Sequence, residues 1–287
     1  MPFIVPAIWW IRRNHKRSEI LPIVPRSAPR AVPVDADNPA VRVYLGQMGV
    51  LYAAMLDRAG SETFLRNQEL PSNVEVISRR THIDLLRRTG IWDKMAIADR
   101  EAMMIADGHW TRELIAQTSV GLEPLRLLRW ILRIDYFLPV IGRAPDLSYT
   151  IAHEIVVSPE RALGAQKIID RESLATASRA AEEYFYRCGA ESISRGYSET
   201  NHEPVKIWAD DVSGSLAGKQ GEDLLLGTRL VSEASPEELS RVLMLARTRM
   251  NFLAWTEALL SESAVPELPF SFPAEPQSVS YPPGSRS

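Results

Sequence analysis

The chain has 287 residues, 45 % of them apolar, enough for one large domain or two small ones around a sizeable core. Its net charge of −3 excludes a chain-wide basic footprint for nucleic acid. One cysteine excludes an internal disulfide framework and any multi-cysteine zinc or iron–sulfur site.

Charge and proline are unevenly spread. Residues 1–34 hold Arg12, Arg13, Lys16, Arg17, Arg26 and Arg30 against the single acid Glu19. Thirteen of the 20 prolines fall in residues 1–40 or 263–287, and proline removes backbone donors and restricts the residue before it. Both ends therefore read as unpacked: an apolar and basic segment with a Pro-rich linker over 1–37, and a Pro/Ser-rich tail over 263–287. The expected folded unit is a single domain over 38–262. The apolar run from Pro2 to Ile11 would span about 15 Å as a helix, half of a bilayer core. Its basic cluster follows the apolar residues and no small-residue cleavage site appears, so it does not read as a secretory signal. Trp9 and Trp10 beside Arg12, Arg13, Lys16 and Arg17 suit a membrane interface, where indoles sit at headgroup level and cations meet anionic lipid. The plainer alternative is a disordered tail, or one that docks on its own domain.

From Val41 to Leu56 the sequence is apolar almost all round, which marks a buried helix. Gly46, Gly49 and Ala53 leave one face small enough for close packing, and Gly60 suits the left-handed position after the helix end. A second helix is expected over about 74–89, ending at Gly90, with Asp84 spaced to pair with Arg80 and Arg88. Asp99 reads as the N-cap of 100–107, and another helix is expected from Trp110 to Thr118. In 123–134, Arg126, Arg129 and Arg133 fall within a stripe about 60° wide at about 100° per residue, and apolar residues fill the rest. Further helices fit 146–157, 159–168, 171–193 and 236–261. Ser158-Pro159-Glu160 reads as an N-cap followed by proline at the first helical position, and Ser235-Pro236-Glu237-Glu238 as a capping box. Over 194–234 the helical pattern breaks down, and Val205-Lys206-Ile207-Trp208 reads as a short strand or an excursion from the body. The pattern as a whole predicts an all-α, irregular multi-helix bundle.

Leu85-Leu86-Arg87-Arg88-Thr89-Gly90-Ile91-Trp92-Asp93, then Asp99-Arg100-Glu101 and Leu125 to Ile134, with Val50-Leu51-Tyr52 upstream, resemble an uncharacterised bacterial family. That family is known only as a domain of unknown function, the one numbered four thousand two hundred and seventy-two. The resemblance covers about 41–190 and implies an all-helical fold. Its motifs are of packing type; where the family has a Trp-Ala-Leu-like centre, this chain has Trp130-Ile131-Leu132. It transfers no catalytic residue.

Complete catalytic motifs are missing from the sequence. His153-Glu154 opens a zincin-like pattern, but Val157 stands where the second histidine belongs. Gly218-Lys219-Gln220 lacks the Ser/Thr of a phosphate loop. His109 and Glu113 would share a helix face at i, i+4 if the helix began early enough, and no metal site is expected from them alone. Cys188 continues the apolar stripe of 171–193 with Leu174, Ala177, Ala181, Tyr184 and Phe185, so it reads as a small buried hydrophobe. Arg179, Glu183 and Arg187 on the other face read as a solvent salt-bridge ladder. The arginine stripe is the one constellation with chemical potential. Guanidinium groups keep their charge, so three on a mostly buried helix need acids, carbonyls, water or an anionic ligand. They read either as a solvent face paired with Glu123 or Asp135, or as a site for phosphate or carboxylate.

Two functions follow as expectations. The first is a non-enzymatic intracellular module that binds a protein partner, held near an anionic membrane by residues 3–17. The second is a small-anion-binding protein or enzyme using Arg126, Arg129 and Arg133, with His109. The catalytic residues stay unknown, no cofactor is implied, and nucleic acid is not an expected partner. The expected location is the cytoplasm, peripheral at the inner membrane if the amino terminus binds lipid.

Overall fold

A computed structural model of the chain describes residues 38–67, 77–141, 149–198, 202–219 and 221–262. The basic and aromatic residues of the amino terminus, Trp9, Trp10, Arg12, Arg13, Lys16 and Arg17, lie outside these, as do both Pro-rich ends. The described residues are mainly α-helical, as the periodicity predicts, with one two-residue antiparallel strand pair. They divide into two compact units. No helix among the described residues is long and apolar enough to cross a membrane.

The larger unit comprises 38–140, 149–178 and 248–262 of the described chain. Its axis is α1, Pro39–Asn67, whose residues from Tyr44 to Ala59 are almost all buried. A helix apolar on every side has to be enclosed by protein, and α2 (Arg79–Arg88), α4 (Arg112–Ser119), α5 (Leu122–Ile131), α6 (Thr150–Val157) and α7 (Glu160–Leu163) pack against it. The small face works as expected at Gly46, where a Cβ would stand 2.7 Å from the Ala162 carbonyl oxygen. Gly60, in contrast, is not a helix end. It lies inside α1 because the ring of Tyr149 occupies the space of its side chain, 2.9 Å from where a Cβ would sit.

Helix α2 is capped by Ser78, whose Oγ accepts from the Thr81 amide, and terminates at Gly90 with φ of 68°. The next helix, α3, covers Ile97–Met104 and starts at Ala96 rather than Asp99, which sits inside it and is buried. The expected helix over 159–168 shrinks to the single turn of α7. Pro159 stands at its cap with no side-chain hydrogen bond.

The smaller unit comprises residues 179–247 with Ile141. It contains the later part of α8 (Arg171–Ser194), α9 (Glu203–Leu216), the hairpin β1 (Leu225–Leu226) and β2 (Arg229–Leu230), and the first part of α10 (Pro236–Glu262). Val205 to Trp208 belong to α9, not to a strand; His202 precedes the helix and Pro204 stands in its first turn, where proline's missing donor costs nothing. The strand pair instead joins Leu225 to Leu230 and Leu226 to Arg229 across a turn at Gly227, φ 67°. The capping box opens α10 as predicted: the Ser235 amide donates to Glu238 Oε2 at 2.9 Å, and the Glu238 amide to Ser235 Oγ at 3.3 Å. Cys188 is fully buried, and burial pushes its thiol up to about 12. Arg187 is not part of a solvent ladder. It is buried, with Nε 2.6 Å from Asp223 Oδ1 and Nη1 2.7 Å from Glu191 Oε2.

Candidate functional site

All ten residues of α5 are buried, including its two arginines. The expected arginine stripe is therefore not a solvent face, although its acidic partners are the expected ones. Arg126 Nη1 lies 3.3 Å from Glu123 Oε2, and Arg249 Nε donates to the other oxygen of that carboxylate at 2.8 Å. Burial pushes the Glu123 carboxyl up, and the two guanidiniums pull it back.

Arg129 is clamped on every side. Its Nε and Nη2 donate to the two oxygens of Asp135, each at 2.8 Å, in a fork-to-fork pair. Nη2 also reaches Glu154 Oε2 at 2.9 Å, and Nη1 the Ile151 carbonyl at 2.8 Å. Burial opposes its charge, but the hydrogen bonds to Asp135 and Glu154 hold its pKa above the ordinary arginine value. This side chain and Arg126 are both buried.

Arg133 is separated from both by the end of the helix, which stops at Ile131. Its φ is 56°, the one positive value at a non-glycine residue among the described residues. The Arg133 amide donates to the Trp130 carbonyl at 3.0 Å and the Ile134 amide to the Arg129 carbonyl at 2.8 Å. This is the Schellman pattern, whose left-handed position favours glycine. The freed side chain turns to the 165–170 segment, with Nε 3.3 Å from the Ile168 carbonyl and Nη2 3.7 Å from Asp170.

There it borders a groove of about 450 Å³ with a floor of Leu132, Ile134 and Ala165. Arg161 and Lys167 supply two more cations and Gln166 an amide; no carboxylate is among the lining side chains. Arg161 pairs on one edge with Glu154 at 3.2 Å, leaving it half-exposed, and Lys167 meets no partner among the described residues. A second groove of about 490 Å³, over Trp92, Ile97, Met104 and Ile105, carries Arg100 and Glu101 of opposite sign.

His109 is not at this site. It lies exposed in the connection between α3 and α4, with Nδ1 2.9 Å from the Asp107 carbonyl. Since Thr111 caps α4 at its start, His109 shares no helix face with Glu113. Of the four residues singled out in the sequence, Arg133 lines this groove and Arg126, Arg129 and His109 do not.

A buried polar cluster was not legible at all. Asp57 on α1 accepts from two imidazoles, His82 Nε2 at 2.8 Å and His153 Nδ1 at 3.1 Å. His82 is fully buried, and its Nδ1 lies 3.0 Å from the Ser78 carbonyl, an acceptor only. Beside it, Arg58 pairs with Glu62 at 2.7 Å and with Asp107, and Glu62 accepts the amides of Gly108 and Trp110 at 2.9 and 3.1 Å. No group of three or more His, Cys, Asp or Glu side chains among the described residues could hold a metal ion.

Comparison with known proteins adds no relative: no family model, no curated protein and no solved structure matches this chain.

Proposed function

We propose that the chain is a non-enzymatic helical module that holds a small anionic group, a phosphate or carboxylate, between Arg133, Arg161 and Lys167. The observation that carries this reading is the residue at the end of α5. A left-handed L-residue costs about 1–2 kcal/mol, and glycine would relieve it. The arginine kept there sends a permanent cation into a groove with two others. Guanidinium forks match the geometry of phosphate and carboxylate oxygens. Binding rather than turnover is favoured because the groove is lined by no serine, cysteine, histidine or acid that could act as nucleophile or general base.

The reading places the protein in the cytoplasm, where a lone free thiol such as Cys188 stays reduced. Membership of the bacterial domain-of-unknown-function family is compatible with it, since the motifs behind that resemblance lie on α1, α2, α3 and α5 and assign no chemistry. The test is titration of inorganic phosphate into the full chain, followed by amide chemical shifts. Residues 132–134 and 161–167 should shift with a saturable, salt-sensitive curve, and Arg133→Gln with Lys167→Gln should weaken it at least tenfold. A flat titration, or a double variant that binds like the parent, overturns it.

A further inference from the structure

We propose that the anion is a lipid headgroup phosphate, and that Tyr136 and Phe137 form with the groove a contact surface for an anionic bilayer. This rests on the groove binding an anion. Tyr136 is 89 % and Phe137 86 % exposed, two large aromatic side chains in succession standing in water. They are not loosely held. Just before them, Asp135 is clamped by both prongs of Arg129, and just after them, the Pro139 carbonyl accepts from Arg249 Nη1 at 2.8 Å. The segment between is strung from two buried arginines, and Val140, the next residue, is again exposed.

The groove adjoins it. Ile134, part of the groove floor, is two residues from Tyr136, so their Cα atoms are at most about 7.6 Å apart. One short stretch of chain therefore joins exposed aromatic rings to Arg133 and the groove it shares with Arg161 and Lys167, whose three cations face two acids, Asp170 at 3.7 Å from Arg133 and Glu154 at 3.2 Å from Arg161, and so keep one net positive charge. That pairing is what a headgroup region recognises: aromatic rings settle at the interface, and cations meet lipid phosphates.

The experiment is vesicle co-sedimentation of the full chain at low salt, with phosphatidylcholine vesicles with and without phosphatidylserine. It is run in a background carrying Trp9→Ser and Trp10→Ser, so that the amino terminus cannot supply the aromatic contact. Pelleting with the anionic vesicles alone is expected, reduced at least tenfold by Tyr136→Ser with Phe137→Ser and by Arg133→Gln. Phe137→Trp, which keeps an aromatic ring at the position, should leave it intact. The aromatic double variant, exposed at both positions, should keep its helical spectrum and its phosphate titration. No pelleting with anionic vesicles, or equal pelleting of the aromatic variant, overturns the proposal. So does a loss of self-association on sedimentation of that variant, which would make the occupant a second copy. Intact inorganic phosphate binding beside failed vesicle binding sinks the membrane surface alone; failure of both sinks the groove as well.

Discussion

Helices α2 and α5 end on the same hydrogen-bond pattern but on different residues. After α2, the Gly90 amide reaches the Arg87 carbonyl at 3.0 Å and the Ile91 amide the Leu86 carbonyl at 2.9 Å. Around Arg133 the equivalent bonds are 3.0 and 2.8 Å. Gly196 after α8 repeats the arrangement, with φ of 72°. Two of these three ends use the residue that backbone sterics favour, and one uses arginine. The difference teaches where stability has been given up. At α5, Asp135, two residues beyond Arg133, is gripped by Arg129, and that grip holds the chain in a turn that its own sterics resist.

The grip should matter most. Arg129→Ala removes the clamp on Asp135 and the tie to Glu154. Breaking a buried charge pair costs about 3–5 kcal/mol, and the partly exposed carboxylates can rehydrate, which puts the loss near 3 kcal/mol in urea unfolding. A loss below 1 kcal/mol would show that the α5 end holds without it. Next comes the mirror substitution: a Cβ at Gly90 meets nothing within 4 Å, so Gly90→Ala should cost only the left-handed strain, about 1–2 kcal/mol. A neutral result there would remove the argument from Arg133. Arg133→Gly should run the other way, gaining about 0.5–1 kcal/mol after glycine's greater freedom in the unfolded chain is deducted. Gain of stability with loss of phosphate binding is the signature expected of a site residue. Lys167→Ala should leave stability within about 0.5 kcal/mol, while weakening phosphate binding.

The smallest effect concerns pH. Asp170, beside Arg133, is held below the usual carboxylate range by the Ser173 amide and hydroxyl, and further by the guanidinium of Arg133. A depressed folded pKa means that its contribution is present above the ordinary value of 3.8 and is lost as pH falls through the folded one. Carboxyl resonances should place the Asp170 midpoint below that of an ordinary aspartate, and Ser173→Ala should move it upward.

Local signals were legible in the sequence and partnerships were not. The capping box at Ser235, the glycine stop at Gly90, the burial of most of 41–56 and the buried Cys188 each depend on residues within a turn or two of one another. Val205 to Trp208 misled because a four-residue apolar run suits strand or helix alike. The α5 arginines misled for a different reason. Their amphipathic spacing is real, but Arg126 shares its carboxylate with a guanidinium 123 positions further on, and Arg129 meets Glu154 and the Ile151 carbonyl. A stripe closed by distant partners has the same pattern as one open to water. Asp57, His82 and His153 carry no motif spacing, and only the packing of α1 against α2 and α6 brings them together. The groove was half-legible: Arg133 stood out, whereas Arg161 and Lys167 lay in a stretch read as ordinary helix.

Two of the three glycines of α1 have one more consequence. Gly46 seats the backbone at Ala162 and Gly60 seats the ring of Tyr149, fourteen positions apart, or about 21 Å along the axis. Those notches act as the marks of a ruler against which the stretch from Tyr149 to Ala162 is laid in the opposite direction. Glu154 and Arg161 lie between the marks, so the gap between Arg161 and the α5 terminus is gauged by α1. Lengthening or shortening that stretch by one residue would leave one mark unoccupied and misalign the cations, even though no residue of α1 lines the groove.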